Sequence, residues 1–78
     1  MNDIQFDQVL DCRGMSCPLP VVKTKKQIDT MAAGQVLKMI ASDPGSINDM
    51  NAWAKRTGNE MLSHREEEDS YIFYIKKS

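Results

Sequence analysis

The sequence predicts an α/β fold, a two-layer α+β sandwich in which two helices lie on one face of a four-stranded mixed sheet. Two stretches carry apolar residues at helical spacing, and four short stretches favour β-strands. Turns containing glycine, proline or polar residues separate these stretches, in the order β-α-β-α-β-β. With 78 residues, 41% of them hydrophobic, we expect residues 1–78 to form a single domain.

The first half of the chain is expected to form a strand, a helix and a second strand. Residues 6–11 can form a short strand, and Gly14 indicates a turn after it. Residues 18 to about 33 show helical spacing, and Gly34 is placed to end that helix. Residues 35–42 are largely apolar, which favours a central strand. The predicted buried helix face comprises Val21, Thr24, Ile28 and Met31.

The second half is expected to form a helix and a hairpin. Residues 43–46 form a turn, after which Ser46 and Asp49 resemble a capping box, and Gly58 ends the helix. Residues 60–65 are a weaker strand candidate, joined by polar residues 66–70 to a strong strand at 71–75. That last strand is either central or an edge that pairs with another chain. The expected core comprises Val36, Leu37, Met39, Ile40, Ile72, Phe73 and Ile75, facing Ile28, Met31, Met50 and Trp53, with each strand contributing one of its two faces.

Charge and hydropathy argue against several classes of protein. Ten Lys and Arg against eleven Asp and Glu give a net charge of −1, which makes direct nucleic-acid binding unlikely on electrostatic grounds. No apolar run approaches the ~20 residues that span a membrane, and the acidic N-terminal stretch does not resemble a signal peptide. We therefore expect a cytoplasmic protein whose thiols are kept reduced.

Both cysteines lie in the stretch D-C-R-G-M-S-C-P-L-P at residues 11–20, directly before the first predicted helix. Pro18 suits the first helical position and biases Cys17 towards the extended conformation of an N-cap. Pro20, like Pro18, has no backbone N–H and so removes a second donor from the first turn. The remaining N–H groups near Cys17 are those of Leu19 and Val21. A thiol at a helix N-terminus has a lowered pKa and reacts as thiolate, so Cys17 is the candidate nucleophile or sulfur carrier.

Charged neighbours and the second cysteine complete the candidate site. Arg13, Lys23 and Lys26 are expected to favour a sulfur anion or to contact an acidic partner. Asp11 is expected to fix the loop, since a carboxylate there would oppose thiolate formation. Cys12, at a strand end, is either a buried filler or a resolving thiol for Cys17.

The pattern D-x-x-G-x-x-C-P-x-P, formed by Asp11, Gly14, Cys17, Pro18 and Pro20, resembles the signature of the TusA family, also called SirA-like sulfur carriers. The stretches A-S-D-P-G-S at 41–46 and A-W-A-K-R-T-G-N-E at 52–60 extend this resemblance over essentially the whole chain.

The resemblance implies that Cys17 carries sulfane sulfur as a persulfide, with no metal or organic cofactor. It also implies a sulfur-donor protein, either a cysteine desulfurase or a rhodanese, and an acceptor protein of a sulfur relay. Such a relay would serve 2-thiolation of tRNA, cofactor assembly or dissimilatory sulfur oxidation. Positioning of the persulfide would fall to Arg13, Gly14, Pro18, Leu19 and Pro20.

Other functions stay open at this point. A thiol-redox module would use a Cys12–Cys17 disulfide to alter partner binding, and a plain binding domain would have inert cysteines. A Cys–His couple with His64 has no identifiable orienting residue. Metal binding by the two cysteines and His64 lacks a second pair of ligands.

Overall fold

The structure, a computed structural model, describes residues 4–16 and 18–78. Along the chain the elements are β1 (Gln8–Cys12), α1 (Leu19–Asp29), β2 (Val36–Ala41), α2 (Ser46–Thr57), β3 (Glu60–Glu67) and β4 (Ser70–Lys76). The predicted order β-α-β-α-β-β and the two-layer architecture are confirmed, because both helices pack on one core against a four-stranded mixed sheet. None of the helices in the described ranges is long and apolar enough to cross a membrane.

The strand order in the sheet is β1-β2-β4-β3. β1 runs parallel to β2, while β4 pairs antiparallel with both β2 and β3. β4 is therefore a central strand, which decides between the two alternatives that the sequence left open. Because β1 and β2 are adjacent and parallel, their carboxyl ends meet at one edge of the sheet, and each strand continues there into a helix.

The core lies between the helices and one face of the sheet. Strand alternation places Leu37, Met39, Phe73 and Ile75 on that face, as predicted, where Cys12 and Ala41 join them, and Ala54 packs there from α2. The same alternation places Val36, Ile40 and Ile72 on the opposite face. Ile72 is buried there, whereas Val36 and Ile40 are half-buried, so the assignment of these two to the core was wrong. On that outer face Phe6 packs against Tyr74, with ring centroids 6.2 Å apart.

α1 ends at Asp29, four residues before the predicted end. The backbone N–H of Thr30 donates to the carbonyl of Gln27 at 3.1 Å, and its hydroxyl donates to the same carbonyl at 2.7 Å, which tightens the last turn. Gly34, with φ of +91°, does not end the helix as expected. It lies in the turn before β2, where its N–H donates to Lys77 O at 2.9 Å.

α2 begins one residue earlier than the capping-box prediction requires. Gly45 is the N-cap and makes no side-chain capping bond, so the capping box of Ser46 and Asp49 is wrong. The Ser46 hydroxyl is buried without a hydrogen-bond partner in the described part of the chain. The predicted end is confirmed, because Gly58 adopts a φ of +80° and its N–H donates to Ala54 O at 2.9 Å.

Candidate functional site

The predicted site lies in the loop between β1, which ends at Cys12, and α1, which begins at Leu19. This loop leaves the sheet at the edge where the carboxyl ends of β1 and β2 meet. Cys17 itself lies outside the described residues. The site is therefore built from the residues that precede and follow Cys17 in the chain.

A tight turn follows β1. The N–H of Met15 donates to Cys12 O at 3.2 Å, which closes a four-residue turn. Gly14 occupies its third position with φ of +83°, and Arg13 has a negative φ, which together define a type II turn. A Cβ at Gly14 would meet no atom within 4 Å, so the requirement for glycine is conformational rather than steric.

Asp11 and Arg13 form a bidentate ion pair at the start of the loop. Arg13 Nε donates to Asp11 Oδ1 at 3.0 Å, Nη2 donates to Oδ2 at 2.8 Å, and the Arg13 backbone N–H also donates to Oδ1 at 3.0 Å. These hydrogen bonds, the side-chain ones first, lower the pKa of Asp11 to about 2. Asp11 thus fixes the loop. It also pairs with the Arg13 guanidinium, which was expected to interact with a sulfur anion.

A hydrogen bond between distant parts of the chain connects this loop to the end of β2. The N–H of Gly14 donates to Ser42 Oγ at 2.8 Å. Ser42 was not recognised from the sequence, where it was assigned to the end of a strand. The available signal was its position directly before the Asp43-Pro44-Gly45 turn, on a strand that could lie beside the first one.

The start of α1 differs by one residue from the prediction. Pro18, rather than Cys17, is the N-cap, and Pro20 lies at the second helical position. The N–H of Leu19 donates to Ser16 O at 2.9 Å, so a donor that was predicted to be free is occupied. Among the described residues no side chain caps this end, and the first turn of α1 contains no acidic residue that would oppose the positive end of the helix dipole.

The lysines of α1 differ in what they can reach. Lys25 Nζ pairs with Asp29 Oδ2 at 2.9 Å, whereas Lys23 and Lys26 make no ion pair with a described residue. The charge of Lys23 extends to the loop, where it partly opposes the raised pKa of Cys12. Lys26 lies in the last turn, about 10 Å along the axis from Leu19, and this distance argues against a role for its charge beside the sulfur.

Cys12 is a core residue. Its side chain has no exposed surface, and it packs in the cluster between helices and sheet. Burial above all, and then the negative charge of Asp11, raises the pKa of the Cys12 thiol. A buried thiol with a raised pKa is a poor nucleophile, which argues against the predicted resolving role.

Apolar surface is exposed on the first turn of α1. Leu19 and Val22 remain 49% and 42% exposed. A shallow groove of about 210 Å³ runs between α1 and α2 next to this turn. Its lining comprises Pro18, Val21, Asp49, Ala52 and Arg56. This surface adjoins Cys17 in the chain and suits contact with another protein.

His64 lies on β3, where its ring stacks on Phe73 with centroids 6.1 Å apart. β3 and β1 are opposite edges of the sheet, which separates His64 from the loop after β1 by about 14 Å, three strand spacings. A Cys–His couple is therefore not supported. Among residues 4–16 and 18–78, no group of three or more His, Cys, Asp or Glu side chains is arranged to hold a metal ion.

Comparison with known proteins points to one family. The family model described as sulfurtransferase TusA matches residues 8–77. The sulfur carrier protein TusA of Allochromatium vinosum is 52% identical over 73 residues, covering 94% of this chain and 96% of that protein. The TusA of Pseudomonas entomophila is 39% identical over 77 residues, covering 99% and 96%. The solved structure of a SirA-like protein from Desulfitobacterium hafniense shares the fold, with a TM-score of 0.79 at 22% identity over 90% of this chain and 96% of that one. The chain therefore belongs to the TusA family of sulfur-carrying sulfurtransferases.

Proposed function

We propose that this chain accepts sulfane sulfur as a persulfide on Cys17 and passes it to a cysteine of a partner protein. The observation that carries the proposal is the start of α1, whose N-cap Pro18 follows Cys17 in the chain, and whose first turn has no acidic residue and no side-chain cap from a described residue. Its dipole favours a thiolate or persulfide anion over the neutral thiol. Burial of Cys12 supports the choice of Cys17, since the chain has two cysteines.

The transfer consists of two exchange steps of the thiol–disulfide type. The Cys17 thiolate attacks the outer sulfur of a donor persulfide, a new S–S bond forms, and the donor thiolate leaves. The acceptor thiolate then attacks the outer sulfur on Cys17, and the Cys17 thiolate leaves. One sulfur atom moves in each step, and neither step needs an external oxidant or reductant.

The partners are proposed to be a cysteine desulfurase or rhodanese as donor and a sulfur-relay protein as acceptor, in a reducing cytoplasm. Exposed Leu19 and Val22 give such partners an apolar contact. The charges of Lys23 and Lys26, which form no ion pair with a described residue, favour partners that are acidic around their own cysteine. The relay would serve tRNA 2-thiolation, cofactor assembly or sulfur oxidation.

Intact-mass spectrometry tests the proposal. The protein is incubated with a cysteine desulfurase plus cysteine, and separately with a rhodanese plus thiosulfate. We expect a gain of about 32 Da, one sulfur atom, in wild type and in Cys12→Ala, and none in Cys17→Ser. Loading that persists in folded Cys17→Ser contradicts the assignment. The donor that loads the protein distinguishes the candidate pathways.

The redox-module alternative gives a different result in the same experiment. Under mild oxidation, a Cys12–Cys17 disulfide would form with loss of two protons and two electrons to the added oxidant. The mass would fall by two hydrogen atoms, and loading would be blocked. The buried Cys12 thiol, with its raised pKa, argues against this outcome.

A further inference from the structure

The loop that leads to Cys17 is connected to the rest of the molecule through Ser42. Within residues 13–16, the N–H groups of Arg13 and Met15 are bonded to β1 itself. The Gly14 N–H instead donates to Ser42 Oγ at 2.8 Å, across 28 residues of sequence. Of the hydrogen bonds that these four residues make to described residues, this one reaches beyond β1 and α1.

Ser42 is itself held firmly. It follows Ala41, which pairs with Cys12 on one side and with Tyr71 on the other. In the turn after it, Asp43 Oδ1 accepts the Gly45 N–H at 3.0 Å, and Asp43 O accepts the Ser46 N–H at 2.9 Å. The backbone of Ser42 is thus held between the end of the central strand β2 and the turn before α2.

We propose that Ser42 is a positioning residue for sulfur transfer, which holds the Gly14 turn in the loop that leads to Cys17. The proposal rests on the proposed function, in which Cys17 carries the sulfur. It also gives a physical reason why the two stretches 11–20 and 41–46 occur together, since one supplies the loop and the other supplies its anchor.

The requirement is for a hydroxyl oxygen at position 42. Threonine keeps that oxygen, whereas valine has nearly the shape of threonine and cannot accept a hydrogen bond. Without the acceptor, the exposed Gly14 N–H bonds to water instead, and the loop loses its connection to the end of β2. The loop then samples other conformations, so that the reacting thiol is positioned less well. We expect Ser42→Val and Ser42→Ala to load sulfur about threefold to tenfold more slowly.

The test compares Ser42→Ala, Ser42→Val and Ser42→Thr with wild type, with Ser63→Ala on β3 as a matched control far from the loop. Two rates are measured: sulfur loading from a cysteine desulfurase, and alkylation of Cys17 by iodoacetamide between pH 5 and pH 10 (the thiol range). Circular dichroism establishes that each variant is folded.

We expect Ser42→Val and Ser42→Ala to load slowly and to shift the midpoint of the alkylation profile upward, because the thiolate loses its place at the helix dipole. Ser42→Thr should retain the wild-type rate and midpoint, and Ser63→Ala should change neither. A purely structural role would lower the unfolding temperature without moving the alkylation midpoint. Equal behaviour of the Thr and Val variants would overturn the proposal.

The Cys17→Ser variant separates this proposal from the one on which it rests. If Cys17→Ser abolishes loading while folded Ser42→Val matches wild type, the role of Ser42 is refuted and the carrier function stands. If Cys17→Ser still loads sulfur, the carrier assignment fails, and the role of Ser42 fails with it.

Discussion

Replacement of Cys12 by alanine tests whether this cysteine is part of the core or part of the chemistry. The substitution removes one sulfur atom from a side chain with no exposed surface. The lost burial and the small cavity together cost about 1–2 kcal/mol of unfolding free energy. For a domain of this size the unfolding temperature should fall by about 5–10 °C. Cys12→Ser should be at least as destabilising, because its hydroxyl is buried among apolar side chains.

The reactivity of the native thiol provides the decisive assay. Cys12 can meet a reagent only when the structure opens, and a domain stable by about 5 kcal/mol is open about one part in 5,000 of the time. Alkylation of Cys12 should therefore be slower than that of an exposed thiol by about 10³-fold to 10⁴-fold, and the raised pKa slows it further. A colorimetric thiol titration should find one fast thiol in the native protein and two in guanidinium chloride.

Several results would refute this reasoning. Two fast thiols in the native protein would show that Cys12 is accessible. Loss of sulfur loading in folded Cys12→Ala would show that Cys12 takes part in transfer. Rapid formation of a Cys12–Cys17 disulfide under mild oxidation would favour the redox module instead.

Two further predictions concern the loop and the second helix. The pKa of Asp11 is lowered from 3.8 to about 2 in the folded state, so its ion pair with Arg13 stabilises the protein above pH 4, and this contribution is lost as the pH falls towards 2. Asp11→Asn should flatten the acid-unfolding curve in that window, and an unchanged curve would contradict the assignment. Gly58→Ala should cost about 1–2 kcal/mol, because alanine disfavours a φ of +80°, whereas Gly45→Ala, at φ −65°, should stay within about 0.5 kcal/mol of wild type. Urea unfolding measures both, and equal effects would argue against the left-handed cap.

Local patterns predicted the elements because they depend on residues close in sequence. The predicted buried face of α1 is recovered in Thr24 and Ile28, and in Met31 just after the helix ends. Gly58 ends α2, as its backbone freedom suggests. The residue at which an element ends, and the face of the sheet on which a strand residue lies, were less predictable. The end of α1 depends on hydrogen bonds of Thr30, and the outer placement of Ile72 depends on the register with β2.

In the candidate site, too, some features follow from local sequence and others only from the tertiary structure. Pro18 and Pro20 indicate where a helix begins, and the stretch around them identifies Cys17 as the cysteine next to that helix N-terminus in the sequence. The engagement of Arg13 by Asp11, the use of the Leu19 N–H by Ser16 and the distance of Lys26 from the loop were visible only in three dimensions.

By itself, the sequence determined the class of fold, the order of its elements, the family and the candidate sulfur-carrying residue, because each depends on short-range periodicity or on a contiguous motif. Only the tertiary structure decided that β4 is central, that Cys12 is buried, and that Ser42 accepts a hydrogen bond from Gly14. The central position of β4 depends on its antiparallel pairing with β2 and β3. The contact between Gly14 and Ser42 depends on the parallel pairing of β1 with β2, which brings together residues about 30 positions apart. No local pattern encodes such a contact, because its geometry exists only once the sheet has formed.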